Sequence, residues 1–218
     1  MTSSAELCLL IGNKNYSSWS LRPWLLLKQL GLPFQEKRVS LYQTETREQI
    51  MRHSPSGKVP ALYLDGQWVW DSLAICETLA ERYPQAWPQD AKARAQARAI
   101  VAEMHSGFFE LRNQMPMNCR RRQALSYCNE FLLEDMRRIQ QIWQDCLEQS
   151  AGPFLFGDFS IADAFYAPVV LRFYSYEVEL DQPLRGYMDT ILSLPALQEW
   201  MAAAQAETEV ISAAEVQD

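Results

Sequence analysis

An Asp-Gly pair at positions 65–66 separates two short runs of strand-forming residues, 59–64 and 67–70. Two-residue hairpin turns of the commonest kind need positive φ at both central positions, which Asp and Gly tolerate, so the segment predicts a β-hairpin. A turn-rich stretch, Ser54-Pro55-Ser56-Gly57-Lys58, leads into it through a Val59-Pro60 step. On its far side Asp71-Ser72 puts a carboxylate and a hydroxyl at the start of a helix over 72–82, where Leu73, Ile75, Cys76, Leu79 and Ala80 recur at helical spacing. The two flanks of the hairpin meet on one edge of a sheet. Such an edge can hold an extended peptide by its main chain and grip its carboxylate at a helix N-terminus.

Upstream, Leu7-Cys8-Leu9-Leu10-Ile11 is a continuous apolar run stopped by Gly12-Asn13. It is too short for a helix and reads as a buried strand. A polar and aromatic loop over 13–19 follows. The next segment, 21–30, reads as a helix with Leu25, Leu26, Leu27 and Leu30 inward, Pro23 in its first turn and Gly31 as its stop. Residues 34–39 read as a second strand and 44–51 as a polar helix. The order β-α-β-α-β-β-α defines an α/β domain over 1–84.

Residues 83–88 carry two prolines and read as a linker. From Asp90 onward every pattern is helical, with helices expected over 91–111 and 120–149. The second has a stripe of Phe131, Leu132, Met136, Ile139, Trp143 and Leu147. Residues 90–218 are therefore expected to form an all-helical domain, with an acidic, frayed tail from Glu207. Ser160-Ile161-Ala162-Asp163 has the spacing of a capping box ahead of an apolar helix, which we read as a stability device.

Composition narrows the partners. The formal net charge of −7 argues against nucleic acid, whose binding depends on neutralising phosphates. The run Arg120-Arg121-Arg122 reads first as a solvated helix start and only second as an anion site. Two His residues exclude a His-rich metal site, and five Cys without CxxC spacing suit reduced thiols. Residues 1–6 lack a signal-peptide pattern, and no apolar run reaches a bilayer span. The expectation is a soluble, cytoplasmic protein with no membrane partner.

In their order and spacing, Ser56-Gly57-Lys58-Val59-Pro60, Asp71-Ser72-Leu73-Ala74-Ile75 and Ser160-Ile161-Ala162-Asp163 resemble the cytosolic glutathione S-transferases over nearly the whole chain. The resemblance implies a thioredoxin-like α/β N-terminal domain joined to an all-α C-terminal helical domain. Within the family, Ser17-Ser18-Trp19-Ser20-Leu21-Arg22 looks most like the serine-type classes, the zeta class especially, which carry a Ser-Ser-Cys-Ser-x-Arg run here. Trp19 stands where zeta enzymes have Cys, and Ser54 where the family usually has Asn. The resemblance implies glutathione as co-substrate, no metal, and a homodimer.

It also implies roles. Ser17 matches the catalytic serine, with Ser18 its rival and Tyr16 a more distant one. The alternative for Ser17 and Ser18 is a plain helix cap. A free thiol titrates at about 8.5, and lowering it by two units takes roughly 2.7 kcal/mol of preferential thiolate stabilisation. One charge-assisted hydrogen bond and a helix dipole are of that size. Val59, before a cis Pro60, is implied to pair with the cysteinyl main chain. Asp71 and Ser72 are implied to hold the γ-glutamyl end, and Lys58 either meets the glycine carboxylate or is solvated. Tyr16, Trp19, His105, Phe108, Phe109, Arg112 and Tyr166 are candidates for a second-substrate cleft, each with core or interface as its ordinary alternative. The expected activity is transfer of glutathione to a small electrophile. Glutathione-dependent isomerase or peroxidase chemistry and a non-catalytic interaction module are the alternatives, and a disulfide reductase ranks last for want of a CxxC.

Overall fold

A computed structural model describes residues 7–216. The reading of residues 1–6 lies outside them. Strands β1 (Cys8–Ile11), β2 (Gln35–Arg38), β3 (Ala61–Leu64) and β4 (Gln67–Trp70) form one sheet in the order β2-β1-β3-β4. Strand β1 pairs parallel with β2 and antiparallel with β3, and β3 pairs antiparallel with β4 across the Asp65-Gly66 turn. Asp65 and Gly66 both have positive φ, 51° and 83°, as the hairpin reading requires. All four residues of β1 are buried because both faces of the sheet's centre are covered, whereas the edge strand β2 is exposed throughout.

Helices α1 (Ser18–Gln29), α2 (Thr46–Met51) and α3 (Ser72–Arg82) complete the first half. The second half holds α4 (Ala91–Ser106), α5 (Phe109–Gln114), α6 (Glu130–Gln149), α7 (Ile161–Ser175), α8 (Leu184–Ser193) and α9 (Pro195–Ala206). Helix α7 is its axis. It is apolar almost all round and packs against α1, α4 and α8, so the main core runs unbroken from one half into the other. The capping box at its start is formed: Asp163 Oδ2 accepts from the Ser160 amide at 2.9 Å, and the Ser160 hydroxyl accepts from Ala162 N at 3.2 Å. Asp163 does more than cap. Its Oδ1 accepts from Leu155 N at 3.1 Å and from the Tyr187 hydroxyl at 3.2 Å, tying the preceding loop and α8 to α7. Burial pushes its carboxyl up to about 6, against the pull of these hydrogen bonds. Among the described residues, no helix is long and apolar enough to cross a membrane.

The structure departs from the sequence reading in several places. Helix α1 starts at Ser18 rather than 21, so Pro23 lies in the second turn and removes the donor to the Trp19 carbonyl. The helix expected over 91–111 is broken. A side chain on Gly107 would meet the Glu103 carbonyl at 2.9 Å, and Phe108 takes a left-handed φ of 59° before α5 begins. Residues 120–129 are not helical; α6 starts after Asn129, whose side chain accepts from Leu132 N at 2.8 Å. Phe131 is exposed, because the buried stripe of α6 runs through Leu132, Met136, Ile139 and Trp143.

The arginine run and the tail were misread together. Arg120 is not a solvated helix start: its guanidinium donates to the Glu207 carbonyl at 2.5 Å and the Glu209 carbonyl at 2.9 Å. Arg121 donates to the Val216 carbonyl at 3.1 Å, and Arg122 lies 3.9 Å over the Tyr174 ring. Residues 207–216 are correspondingly docked rather than frayed. Glu209 pairs with Arg38 at 2.7 Å, and Ile211 is buried.

Candidate functional site

The loop between β1 and α1 presents Ser17, and most of its backbone groups are hydrogen-bonded. The amides of Tyr16 and Ser17 donate to the Asn13 carbonyl at 3.2 and 2.8 Å, making a tight turn. The Lys14 carbonyl accepts from Trp200 Nε1 at 2.9 Å, and the Asn15 carbonyl from Cys119 N at 3.2 Å. The Asn15 side chain donates to Asn118 Oδ1 at 3.0 Å and accepts from Arg120 N at 3.0 Å. Residues from the far end of the chain thus fix the loop's shape.

Ser17 precedes α1 but its side chain makes no capping hydrogen bond. Its hydroxyl lies 2.7 Å from the Ser20 hydroxyl, which accepts from the Gly12 amide at 3.1 Å. Ser20 is fully buried and cannot reach a ligand, while Ser17 lines a cavity. With a proton running from Ser20 to Ser17, the Ser17 O–H is free to donate outward to an anion. The plain-cap alternative for Ser17 is therefore not the arrangement found.

The cavity has a volume of about 620 Å³ and brings together four of the expected site residues, Ser17, Ser18, Lys58 and Val59. The Val59–Pro60 peptide bond is cis. Among the described residues, neither the N–H nor the C=O of Val59 has a hydrogen-bond partner, so the main chain there is open to a ligand. Asp71 and Ser72 do not line this cavity. Asp71 holds a φ of 75°, rare outside glycine, and its carboxylate caps α3 by accepting from Leu73 N at 2.8 Å and Ala74 N at 3.3 Å. Ser72 is buried, and its hydroxyl accepts from Arg22 Nη1 at 3.3 Å.

Of the second-substrate candidates, Tyr16, Trp19 and Arg112 line the cavity. Phe108 and Tyr166 are core, and Phe109 is exposed. His105 stacks edge-on to Trp19 at 5.3 Å and lies 3.4 Å from Asp71, with burial lowering its pKa. Tyr16 is a poor thiolate donor here, because its hydroxyl proton goes to Glu215 at 2.5 Å and its oxygen accepts from Arg120 at 2.7 Å. Burial and that carboxylate both raise its pKa.

Sequence reasoning missed Ser20, Arg172, Met117 and Ile211. Ser20 carried one readable signal, its i+3 spacing from Ser17. Arg172 carried none, since one arginine on an apolar helix gives no sign of its target. Its guanidinium donates to the Met115 carbonyl at 2.8 Å, the Pro168 carbonyl at 3.2 Å and the Ser18 hydroxyl at 3.4 Å, all neutral. Burial, followed by repulsion from Arg112, lowers its pKa to about 9. Among the described residues, the charged groups lining the cavity are Arg47, Lys58, Arg112 and Arg172, with no acid between them, in a chain of net charge −7. The thiols are no rivals to Ser17. Cys76, Cys119 and Cys146 are buried and pushed upward, Cys119 and Cys146 to about 12, and no cysteine lines the cavity.

Known proteins arrange this scaffold in the same way. The chain is 28% identical over 188 residues to a probable maleylacetoacetate isomerase of Caenorhabditis elegans, covering 82% of this chain and 85% of that one. It is 28% identical over 210 residues to the maleylacetoacetate isomerase of Pseudomonas aeruginosa, covering 89% and 95%. A glutathione transferase homologue from Burkholderia, solved with bound glutathione, superposes with a TM-score of 0.71 at 22% identity, covering 93% of this chain and 100% of that one. The family models for the N-terminal and C-terminal domains of glutathione S-transferase match residues 16–82 and 91–203. With both matches in the same chain and in the expected order, the protein belongs to the glutathione S-transferase family.

Proposed function

We propose that this chain binds glutathione in the cavity beside Ser17 and stabilises its thiolate for attack on a small electrophile. The observation that carries this reading is a cavity-lining hydroxyl, Ser17, backed by a buried one, Ser20, across from an unpaired Val59 main chain. The Val59 N–H and C=O suit the cysteinyl backbone of an extended tripeptide. The γ-glutamyl end reaches past the cavity lining to the start of α3, where the Ser72 amide, left over because Asp71 takes the next two, suits its carboxylate. The Asp71 carboxylate suits the amine, and Lys58 the glycine carboxylate.

The step is simple in outline. The thiol proton leaves to solvent, and Ser17 donates to the sulfur while accepting from Ser20. The sulfur lone pair then forms a bond to the electrophile. In a transferase the electrophile's leaving group departs or its double bond takes up a proton. In an isomerase the thiolate adds to one carbon of a double bond, the resulting single bond rotates, and the thiolate is expelled intact.

The cation-only lining supports an electrophile that carries a carboxylate, because such a group would relieve the repulsion between Arg112 and Arg172. Taken with the relatives named maleylacetoacetate isomerase, this favours the isomerase alternative over peroxidase chemistry. A cytoplasmic homodimer is part of the same proposal, and sedimentation tests the dimer. Calorimetry with glutathione, followed by turnover of acidic and neutral electrophiles by wild type and Ser17→Ala, tests the whole. Full activity in Ser17→Ala refutes the role of Ser17. A folded protein that binds no glutathione points instead to a non-catalytic module.

A further inference from the structure

The segment after α9 does more than cover the cavity. The Glu207 carboxylate accepts from two successive amides of the Ser17 loop, Lys14 N at 2.7 Å and Asn15 N at 3.0 Å, one on each oxygen. Its side chain is 8% exposed and is steadied by Arg38 at 3.3 Å. It does not line the cavity, so it reaches the loop from behind. We propose that Glu207 is a positioning residue for the reaction, holding the loop in the one turn that aims the Ser17 hydroxyl at the substrate sulfur.

The argument is one of hydrogen-bond supply. The turn that fixes Ser17 points the N–H groups of Lys14 and Asn15 away from any neighbouring carbonyl, and adjacent parallel amides form an anion-binding concavity. A carboxylate is the side chain able to satisfy both with charge-assisted bonds. Without it the two buried donors would gain partners by rotating their peptide planes, and a rotation there swings Ser17, two residues on. The bond spans 192 positions in the chain, so the second half sets the geometry of a hydroxyl that belongs to the first.

This inference rests on the reading of Ser17 as the thiolate's donor, and the test separates the two. Wild type, Glu207→Ala, Glu207→Gln and the charge control Glu199→Gln are compared by amide hydrogen exchange and by ultraviolet titration of bound glutathione. Glu199 pairs with Lys28 on the surface. The expected result is faster exchange at Lys14 and Asn15 in Glu207→Ala. With it come a bound-thiol pKa about one unit higher and a kcat about tenfold lower at a pH below both values, recovering at high pH. Glu207→Gln keeps one acceptor and falls between, which decides the matter if the alanine variant does not fold. Glu199→Gln behaves as wild type. Unchanged exchange at the two amides, or faster exchange with an unchanged thiol pKa, overturns the inference. If wild type forms no thiolate, the Ser17 reading fails, and the exchange data still decide whether Glu207 holds the loop.

Discussion

Ser20→Ala separates two effects that a simple active-site defect would combine. The substitution strips the partner 2.7 Å from the Ser17 hydroxyl and leaves the Gly12 amide buried without an acceptor. Orphaning a buried donor costs about 1–3 kcal/mol of stability. Ser17→Ala leaves the Gly12 bond in place but takes the acceptor from the buried Ser20 O–H, a cost of the same order. On the thiolate the two variants differ. The hydrogen bond from Ser17 to a thiolate is worth about 1.5–3 kcal/mol, so its loss raises the bound-thiol pKa by about one to two units and, at a pH below both values, lowers activity about 10- to 100-fold. Ser20 only strengthens that bond by polarising it. Cooperativity of about 10–30% on a bond of ~3 kcal/mol corresponds to about a two- to fivefold loss. The assays are denaturant unfolding and spectroscopic titration of the bound thiol, on both single variants and the double. Because the relay runs through Ser17, Ser20→Ala should add nothing to the thiol pKa in the Ser17→Ala background. A further rise in the double variant, or a Ser20→Ala defect as deep as that of Ser17→Ala, refutes the relay.

Arg172→Met should lower kcat/KM for carboxylate-bearing electrophiles about 10- to 100-fold more than for neutral ones, the size of one charge-assisted hydrogen bond; equal losses on both classes would remove the anionic second substrate. Native Asp163 holds its proton more tightly than the unfolded chain does, with a pKa of about 6 against the ordinary 3.8. Its contribution to stability is therefore full below the lower value and is lost as pH rises through the upper one, a slope that Asp163→Asn should abolish in unfolding measured across that window. Ser160→Ala should lower unfolding free energy by about 0.5–2 kcal/mol with the thiol titration unchanged, since the cap lies outside the cavity.

The parts legible in the sequence are those whose causes are local. The Asp65-Gly66 turn, the Ser72 helix start and the Ser160–Asp163 box each depend on residues within a few positions, and each formed as its chemistry requires. Ser17, Ser18, Lys58 and Val59 were brought to one cavity because the loops at one end of the sheet carry them. The misreadings share the opposite property. Gly107 ends a strongly helical pattern in an extended backbone conformation that leaves no room for a side chain beside the Glu103 carbonyl, which composition does not reveal. The arginine run and the acidic tail look solvated when read separately; they are partners, and partners more than eighty positions apart leave no mark on either segment. Ser20 was passed over because a buried hydroxyl on a helix ordinarily signals nothing beyond tolerance.

Arg22 stands on α1 in the first half, yet its guanidinium is held between the rings of Trp19 at 4.2 Å and Phe165 of α7 at 4.4 Å. It is wholly buried, and burial drives its pKa far down. A cation in that state cannot be exposed or re-covered piecemeal. An N-terminal half expressed alone would lose one slice of the sandwich and wet the charge, and a chimera carrying a foreign helical half would need an aromatic side chain where Phe165 sits. The two halves are separable as patterns of secondary structure, but this one side chain makes them heritable only as a matched pair.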